Sequence, residues 1–287
     1  MDKFIYVLIT AARNEEATIR QTIQSVLAQR IRPEKWIIVS DGSTDTTEEI
    51  VHSYTSKYDF IELISLKNDE NRNFASKVFA LNSGLEILKD ISYHYIGILD
   101  ADITFDSGYY EGIFNKFRIN PHLGVAGGAF FDVYDGNLHK VQPGPYSVRG
   151  AVQMFRYECW KDVGGLRPLV YGGEDTVAEV SARMNGWEVK TYTDLIVYHH
   201  RRTGTEGRHI LKARFRQGIG EHAVGYHPLF QFVKCLKRIP EKPWFIGSVL
   251  RLSGYWFAVI RNFKPDVPDD FVRYLRREQI DRIRFMV

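Results

Sequence analysis

Short apolar runs alternate with amphipathic stretches through the first hundred residues, and that alternation leaves few architectures open. Phe4–Thr10, Trp36–Val39, Phe60–Leu66 and Tyr95–Leu99 are apolar and β-rich. Between them, Glu15–Gln29, Thr44–Tyr58 and Ala75–Leu88 carry apolar residues at helical spacing. Ile19, Ile23, Val26 and Leu27 share one face of the first of these, and Ile50, Val51 and Tyr54 one face of the second. Strands covered on both sides read as apolar runs, because helices pack above and below them. The expected fold class is α/β, a Rossmann-like, mostly parallel central sheet flanked by helices.

After Asp106 the rhythm changes. Gly124–Phe131 and Val189–Tyr192 read as further strands, and Tyr171-Gly172-Gly173 as a loop into a helix over Glu174–Asn185 that Gly186 ends. With 287 residues, 44% hydrophobic and 25% charged, the chain suits one large domain or a domain with an appendage, and it is not of disordered composition. The opening MDKFIYVLITAARNEE is not expected to be a signal peptide, since its apolar run is short and leads straight into charge. Cys159 and Cys235 are the only cysteines, too few for a disulfide framework or a cysteine-built metal cluster, and they fit a reducing cytoplasm.

The net charge of +3 is unevenly held. Residues 201–287 contain 18 Lys and Arg against 8 Asp and Glu, a local +10, while the other 200 residues hold 20 against 27, a local −7. A basic appendage beginning near Gly204 points to a polyanionic partner, either an anionic membrane surface or a phosphate-bearing substrate, or else to a solvated basic helix. Trp244–Ile260 is apolar but interrupted by Arg251; a spanning helix needs ~20 apolar residues and tolerates a central charge poorly. Two readings remain, a helix lying in a membrane interface and a helix packed on the domain. Phe271–Phe285 reads as another amphipathic helix, with Asp269 and Asp270 as caps. No nucleic-acid motif accompanies the arginines, so no nucleic-acid partner is expected.

In parallel sheets ligands bind beyond the carboxyl ends of the strands, and there this chain places acids. Asp41 follows the second strand, and Asp100-Ala101-Asp102 follows the fourth. Two carboxylates at i and i+2 can converge on a hard cation such as Mg²⁺ or Mn²⁺, which would neutralise a diphosphate; the same residues could also be an ordinary capped turn. In Ser40-Asp41-Gly42-Ser43-Thr44-Asp45, one of Ser43, Thr44 and Asp45 is the expected N-cap of the following helix, while Asp41 is better placed to face the site, where it could accept a hydrogen bond from a base or ribose.

VSDGSTDTT followed by Leu99-Asp100-Ala101-Asp102 resembles family 2 glycosyltransferases of the GT-A fold. Further segments carry the resemblance: Thr10-Ala11-Ala12-Arg13-Asn14-Glu15-Glu16 as the opening strand and loop, Ser76–Gly84 as the Gly-Lys-x-x-Ala-x-Asn-x-Gly helix, Cys159–Leu166 before the acceptor site, Gly173-Glu174-Asp175 as the Glu-Asp motif, and Arg183–Trp187 as the helix end after it. The resemblance implies an inverting transfer of one sugar from a nucleotide-diphosphate sugar, usually a UDP-sugar, to a hydroxyl of a glycan or lipid-linked acceptor. Asp41 would contact the nucleobase, with Thr10 and Ala11 lining its pocket. Arg13, Glu15, Lys77, Asp100 and Ala101 would line the nucleotide-sugar site, and Asp102, Asp100 and His199 would hold Mg²⁺ or Mn²⁺. Asp175 would be the general base, with Glu174 and Gly173 orienting the acceptor or simply starting a helix. Adjacent strand residues face opposite ways, so only one of His199 and His200 should face the metal; Arg201 or Arg202 could pair with the diphosphate.

The implied division is a catalytic domain over 1–204, its nucleotide-sugar half over about 1–106 and its acceptor half over about 107–204, with a basic helical extension over 205–287. The implied location is cytoplasmic, peripheral on the cytoplasmic face of a membrane. Two departures stand out: Ser40 replaces the first acid of the usual Asp-Asp-Gly-Ser, and Ser76 replaces a glycine. Arg214-Phe215-Arg216-Gln217 is not the Gln-x-x-Arg-Trp motif of polymer-making members, so single-sugar transfer is expected. Two other readings stay open: a nucleotide-sugar-binding protein without turnover, and a sugar nucleotidyltransferase, against which the glycine-free loop Thr10–Glu16 argues.

Overall fold

The computed structural model describes residues 4–67, 73–141, 146–201, 210–241 and 243–284. Strand β1 (Tyr6–Ala12) is followed by α1 (Ile19–Leu27), β2 (Lys35–Asp41), α2 (Thr47–Thr55), β3 (Ile61–Leu66), α3 (Ala75–Ile87) and β4 (Tyr95–Ile98). The four strands lie parallel in the order β3-β2-β1-β4. Tyr6, Val7, Leu8 and Ile9 are all buried, because the alternating faces of β1 meet different helices. Tyr6 and Leu8 pack with Trp36, Ile19, Ile23 and Val51, whereas Val7 and Ile9 pack with Ile37, Val39, Val78 and Leu81 of the opposite layer.

The chain continues through β5 (Ile103–Phe105), α4 (Tyr109–Ile119), β6 (Leu123–Tyr134), β7 (Asn137–Val141), β8 (Met154–Arg156), α5 (Tyr157–Val163), α6 (Glu174–Met184) and β9 (Glu188–His199). These strands extend the sheet as β4-β8-β6-β9-β5, with β7 on the side of β6. β8 runs antiparallel to β4 and β6, β9 runs parallel to β6, and β5 returns antiparallel to β9. The sheet is therefore mostly parallel on one side and mixed on the other.

Several boundaries differ from those the sequence implies, for identifiable reasons. α2 starts at Thr47, three residues later than the sequence implies; Thr46 holds the N-cap position without a side-chain bond, and the capping acceptor is Asp45, whose Oδ1 takes Thr47 N at 3.0 Å. The same turn also braces the loop after β1: Asn14 Oδ1 accepts from Thr44 N at 2.8 Å, Glu16 Oε2 from Thr46 N at 3.1 Å, and Asp45 Oδ2 from Glu16 N at 3.2 Å. β9 runs past Tyr192 to His199, because the register shifts between Gly128 and Ala129 and lets the chain bulge before pairing resumes at Ile196.

Among its described residues the basic segment forms α7 (Ile210–Ala223), α8 (Pro228–Lys237), α9 (Ile246–Ile260) and α10 (Asp269–Arg284); Arg202, Gly204 and Phe285 lie outside the described residues. α7 and α9 cross at Gly218 and Gly254. A Cβ on Gly218 would lie 1.9 Å from the Arg251 carbonyl oxygen, and one on Gly254 2.0 Å from that of Phe215, so only glycine permits this approach. The inner face of α9 is Gly247, Ser248, Arg251, Gly254, Tyr255 and Ala258. Val224, Val267, Phe271, Val272 and Leu275 share a cluster with Leu169, Val177 and Val180, which fastens the appendage to the α6 side of the body. Asp270 Oδ1 accepts from Phe271 N at 2.8 Å at the start of α10. Among the described residues no helix is long and apolar enough to cross a membrane. α9 thus packs inward through one face, while Ile246, Val249, Trp256, Phe257 and Ile260 stay exposed on the other.

Candidate active site

The ends of β1 and β2 lie side by side, with Ala11 paired to Val39 and Ala12 to Ser40. Asp41, the last residue of β2, is buried, and its carbonyl accepts from Arg13 Nη1 at 3.4 Å. Thr10 is wholly buried and its Oγ1 accepts from Trp36 Nε1 at 3.0 Å. Its side chain faces the core, leaving Ala11 half-buried at the rim. Ala101 is also buried, its carbonyl accepting from Thr22 Oγ1 at 2.8 Å; this bond ties the turn between the two acids to α1.

Glu15 reaches across to Arg201, with which it forms an ion pair, and its backbone N–H donates to Thr47 Oγ1 at 2.7 Å. Burial lifts the Glu15 carboxyl to about 7 despite Arg201, and Asp102 and Asp100 push it the same way. The loop after β1 is thereby drawn to the acids after β4.

Asp100 Oδ1 accepts from Lys77 Nζ of α3 at 2.6 Å. Burial would lower the Lys77 ammonium, but Asp100 more than offsets it, and Glu174 and Asp175 reinforce the effect. The first turns of α3 and α6 therefore face one cleft. Asp102 Oδ2 lies 3.2 Å from His199 Nε2 and 3.5 Å from Arg201 Nε, and His199 Nδ1 lies 2.8 Å from Asp132 Oδ1. Burial opposes ionisation of both partners, yet their mutual bonding holds Asp102 below and His199 above their ordinary values. His200 faces elsewhere, its Nε2 2.7 Å from Thr104 Oγ1.

Asp102 Oδ1 is buried with no hydrogen-bond partner, which is costly unless something else binds it. The carboxylate oxygen suits Mg²⁺ or Mn²⁺, and the imidazole nitrogen beside it suits the transition metal Mn²⁺ better than Mg²⁺. Asp100 is drawn toward Lys77, and among the described residues no three His, Cys, Asp or Glu side chains converge as a complete cage. Phosphate and water oxygens would have to fill the remaining positions, the habit of Mg²⁺.

Gly172 and Gly173, at φ 79° and 103°, turn the chain through the left-handed region and start α6 at Glu174. Glu174 Oε2 accepts from Gly173 N at 3.0 Å, and burial, then Asp175, raise its carboxyl. Asp175 Oδ1 accepts from Thr176 N at 2.6 Å, leaving Oδ2 toward Gly150, where an added Cβ would come within 3.0 Å of it. Asp132, Arg149 and Glu179 also belong to this site and escape a reading of the sequence. Glu179 Oε1 accepts from Val148 N at 2.6 Å and Gln153 Nε2 at 3.0 Å. It thereby fixes the loop that carries Arg149 and Gly150. Nothing local marks these residues, since each acts through contacts dozens of positions away.

Residues 7–162, more than half of the chain, match the model of "Glycosyl transferase family 2". The chain is 29% identical over 254 residues to a poly-beta-1,6-N-acetyl-D-glucosamine synthase of Staphylococcus epidermidis, covering 80% of this chain and 57% of that protein. It is 30% identical over 256 residues to the synthase of the same name from Staphylococcus aureus strain COL, covering 81% and 58%. The chain thus spans little more than half the length of these relatives. Among solved structures, S. aureus TarS 1-349 in complex with UDP-GlcNAc superposes with a TM-score of 0.57 at 15% identity, over 96% of this chain and 83% of that one. The mannosyltransferase PcManGT of Pyrobaculum calidifontis, in complex with GDP-Man and Mn2+, superposes with a TM-score of 0.56 at 16% identity, over 89% and 74%. These superpositions identify the fold as GT-A.

Proposed function

Since the chain belongs to glycosyl transferase family 2, we propose that it is an inverting, metal-dependent glycosyltransferase that moves one sugar from a UDP-sugar to an acceptor hydroxyl. The observation that carries this reading is the Lys77 bridge, where one ammonium bonds Asp100 at 2.6 Å and feels the charges of Glu174 and Asp175. An acid after β4 and the acids opening α6 thus face the same space, as an in-line displacement requires. Asp41, Ala11 and Arg13 hold the nucleobase end, and Arg201 takes the diphosphate. Asp102 and His199, with Asp100, would hold Mg²⁺ or Mn²⁺, which when bound neutralises the departing diphosphate. Asp175 Oδ2 accepts the proton of the acceptor hydroxyl as its oxygen attacks the anomeric carbon opposite the leaving group.

UDP-GlcNAc is the first donor to try, because TarS was solved with it and the curated relatives are named for an N-acetylglucosamine polymer. Incubated with a UDP-sugar panel, GDP-mannose and Mn²⁺, the protein should release UDP from one UDP-sugar, and EDTA should abolish the release. Silence with every donor, with or without glycan and lipid-linked acceptors, would overturn the reading; donor binding without release would favour a binding protein instead.

The same reading places the protein in the cytoplasm, peripheral on an anionic membrane. Trp244, Trp256 and Ile260 are 66%, 45% and 77% exposed, and Lys237, Arg261 and Lys264 are exposed nearby in the chain. Apolar residues with aromatic ends and flanking cations suit an anionic lipid surface. The protein should co-sediment with phosphatidylcholine vesicles containing phosphatidylglycerol, and the double change Trp256→Glu, Ile260→Glu should weaken binding by at least about tenfold, since each buried side chain contributes ~1.5–3 kcal/mol. Equal recovery of both proteins in the supernatant would sink the membrane assignment.

A further inference from the structure

The loop before β8 puts a cation beside the proposed base that no step above uses. Arg149 precedes Gly150, whose missing side chain leaves room for Asp175. Its guanidinium carbon lies 5.8 Å from the Phe130 ring centre, the ring that His199 also meets at 5.2 Å. Its Nε is buried without a hydrogen-bond partner. Asp175, Asp132 and Glu179 stabilise its charge from around the cleft, while Arg238 at the C-cap of α8 opposes it; burial outweighs them and holds the group below its ordinary basicity. The carboxylates nearby are otherwise engaged: Asp132 with His199, Glu179 with Val148 and Gln153, and Asp175 Oδ1 with Thr176. A desolvated guanidinium with an unmade bond is costly, and a ring face satisfies its charge but accepts little from its N–H groups.

We propose that Arg149 forms an anion subsite on the acceptor side of the cleft. It takes a phosphate or carboxylate carried by the acceptor sugar, within a sugar ring's reach of the hydroxyl that Asp175 deprotonates. The inference rests on Asp175 being the base, which fixes where the acceptor sits. A phosphate or carboxylate would supply the oxygens that Arg149 lacks, in the paired geometry guanidinium favours. The subsite makes an anionic acceptor sugar preferred over a neutral one, and it lies on the side of the cleft that the basic helices approach.

The test is calorimetric, on the full chain, with glucose, glucose 1-phosphate and glucuronic acid as probes. UDP and Mn²⁺ are added to occupy the donor's own phosphate positions. At least one charged sugar should bind about tenfold or more tighter than glucose, the worth of one charge-assisted hydrogen bond. Arg149→Gln should erase that margin, Arg149→Lys should keep part of it, and UDP should bind all three proteins alike. The tighter of the two charged probes tells phosphate from carboxylate. No margin in the unaltered protein, or the same margin in Arg149→Gln, overturns the subsite. Should UDP fail to bind, the donor reading fails, and the sugar comparison, run without nucleotide, still decides this one.

Discussion

Asp175→Asn is expected to cut turnover by ~10²–10⁴-fold, the usual worth of a positioned proton acceptor, while UDP-sugar affinity stays within a factor of about two. The change removes a proton acceptor and little else. Asn keeps an oxygen for the Thr176 N–H that Asp175 Oδ1 now receives at 2.6 Å, so the start of α6 should hold. It keeps the volume that the missing Gly150 side chain accommodates. The lost charge is also one of several around Lys77, with Asp100 bonded directly at 2.6 Å. Steady-state UDP release gives kcat, and calorimetry with UDP-GlcNAc gives binding. A variant that loses affinity and keeps its rate would make Asp175 a binding residue, and the base would have to be sought elsewhere. Gly150→Ala supplies a second reading of the same geometry, since its Cβ would press on Asp175 at 2.9 Å; it should lower kcat without touching any charge.

The parallel half of the sheet, and the acids at its strand ends, are legible in the sequence because that half follows from local pattern. Tyr6–Ile9 and Trp36–Val39 are buried on both faces, so each strand is visible as an apolar run. Asp41, Asp100 and Asp102 then stand out as acids where apolar residues should continue. The mixed half is different. β5 and β8 are three residues each and exist only through partners: Ile103 opposite His199, Phe155 opposite Ile96 and Val125. β7 is exposed and polar, although Asp135-Gly136, with φ 51° and 71°, is a hairpin signal that reads directly from the sequence. Asp132 and Arg149 lie in that half, which is why they stayed hidden. The apolar run from Trp244 left open which of its faces is inside. Apart from Tyr255, its core face is small or charged, with Gly247, Ser248, Arg251, Gly254 and Ala258, while Ile246, Val249, Trp256, Phe257 and Ile260 point outward. Hydrophobicity alone cannot say which face of such a helix is inside, because close backbone approach selects small residues and the buried arginine is satisfied by a distant acid.

That acid makes Glu221→Gln the change with the largest expected effect on stability, a loss of about 3–5 kcal/mol. Glu221 is buried between α7, α8 and α9, accepting from Arg251 Nε at 2.9 and 2.8 Å and from Lys234 Nζ at 2.7 Å. Gln231 Nε2 donates to it as well, at 2.6 Å. The amide would leave Arg251 and Lys234 facing one another without a counter-charge. Burial alone would raise the Glu221 carboxyl, but Lys234 and Arg251 more than offset it and push it down to about 2. The folded value lies below the unfolded one, so the ionised acid stabilises the fold fully above about pH 4.5 and the benefit fades as pH falls toward 2; the interval is worth about 3 kcal/mol. Denaturant unfolding of both proteins should therefore show a constant gap from pH 7 to about 4.5 that narrows in acid. A gap that keeps its full width into acid would mean the loss comes from packing and not from charge. Because Glu221 sits one residue from Gly220, where an added Cβ would lie 3.0 Å from the Tyr171 carbonyl oxygen just ahead of Gly172 and Gly173, the same variant should also slow turnover by loosening the turn that presents Asp175.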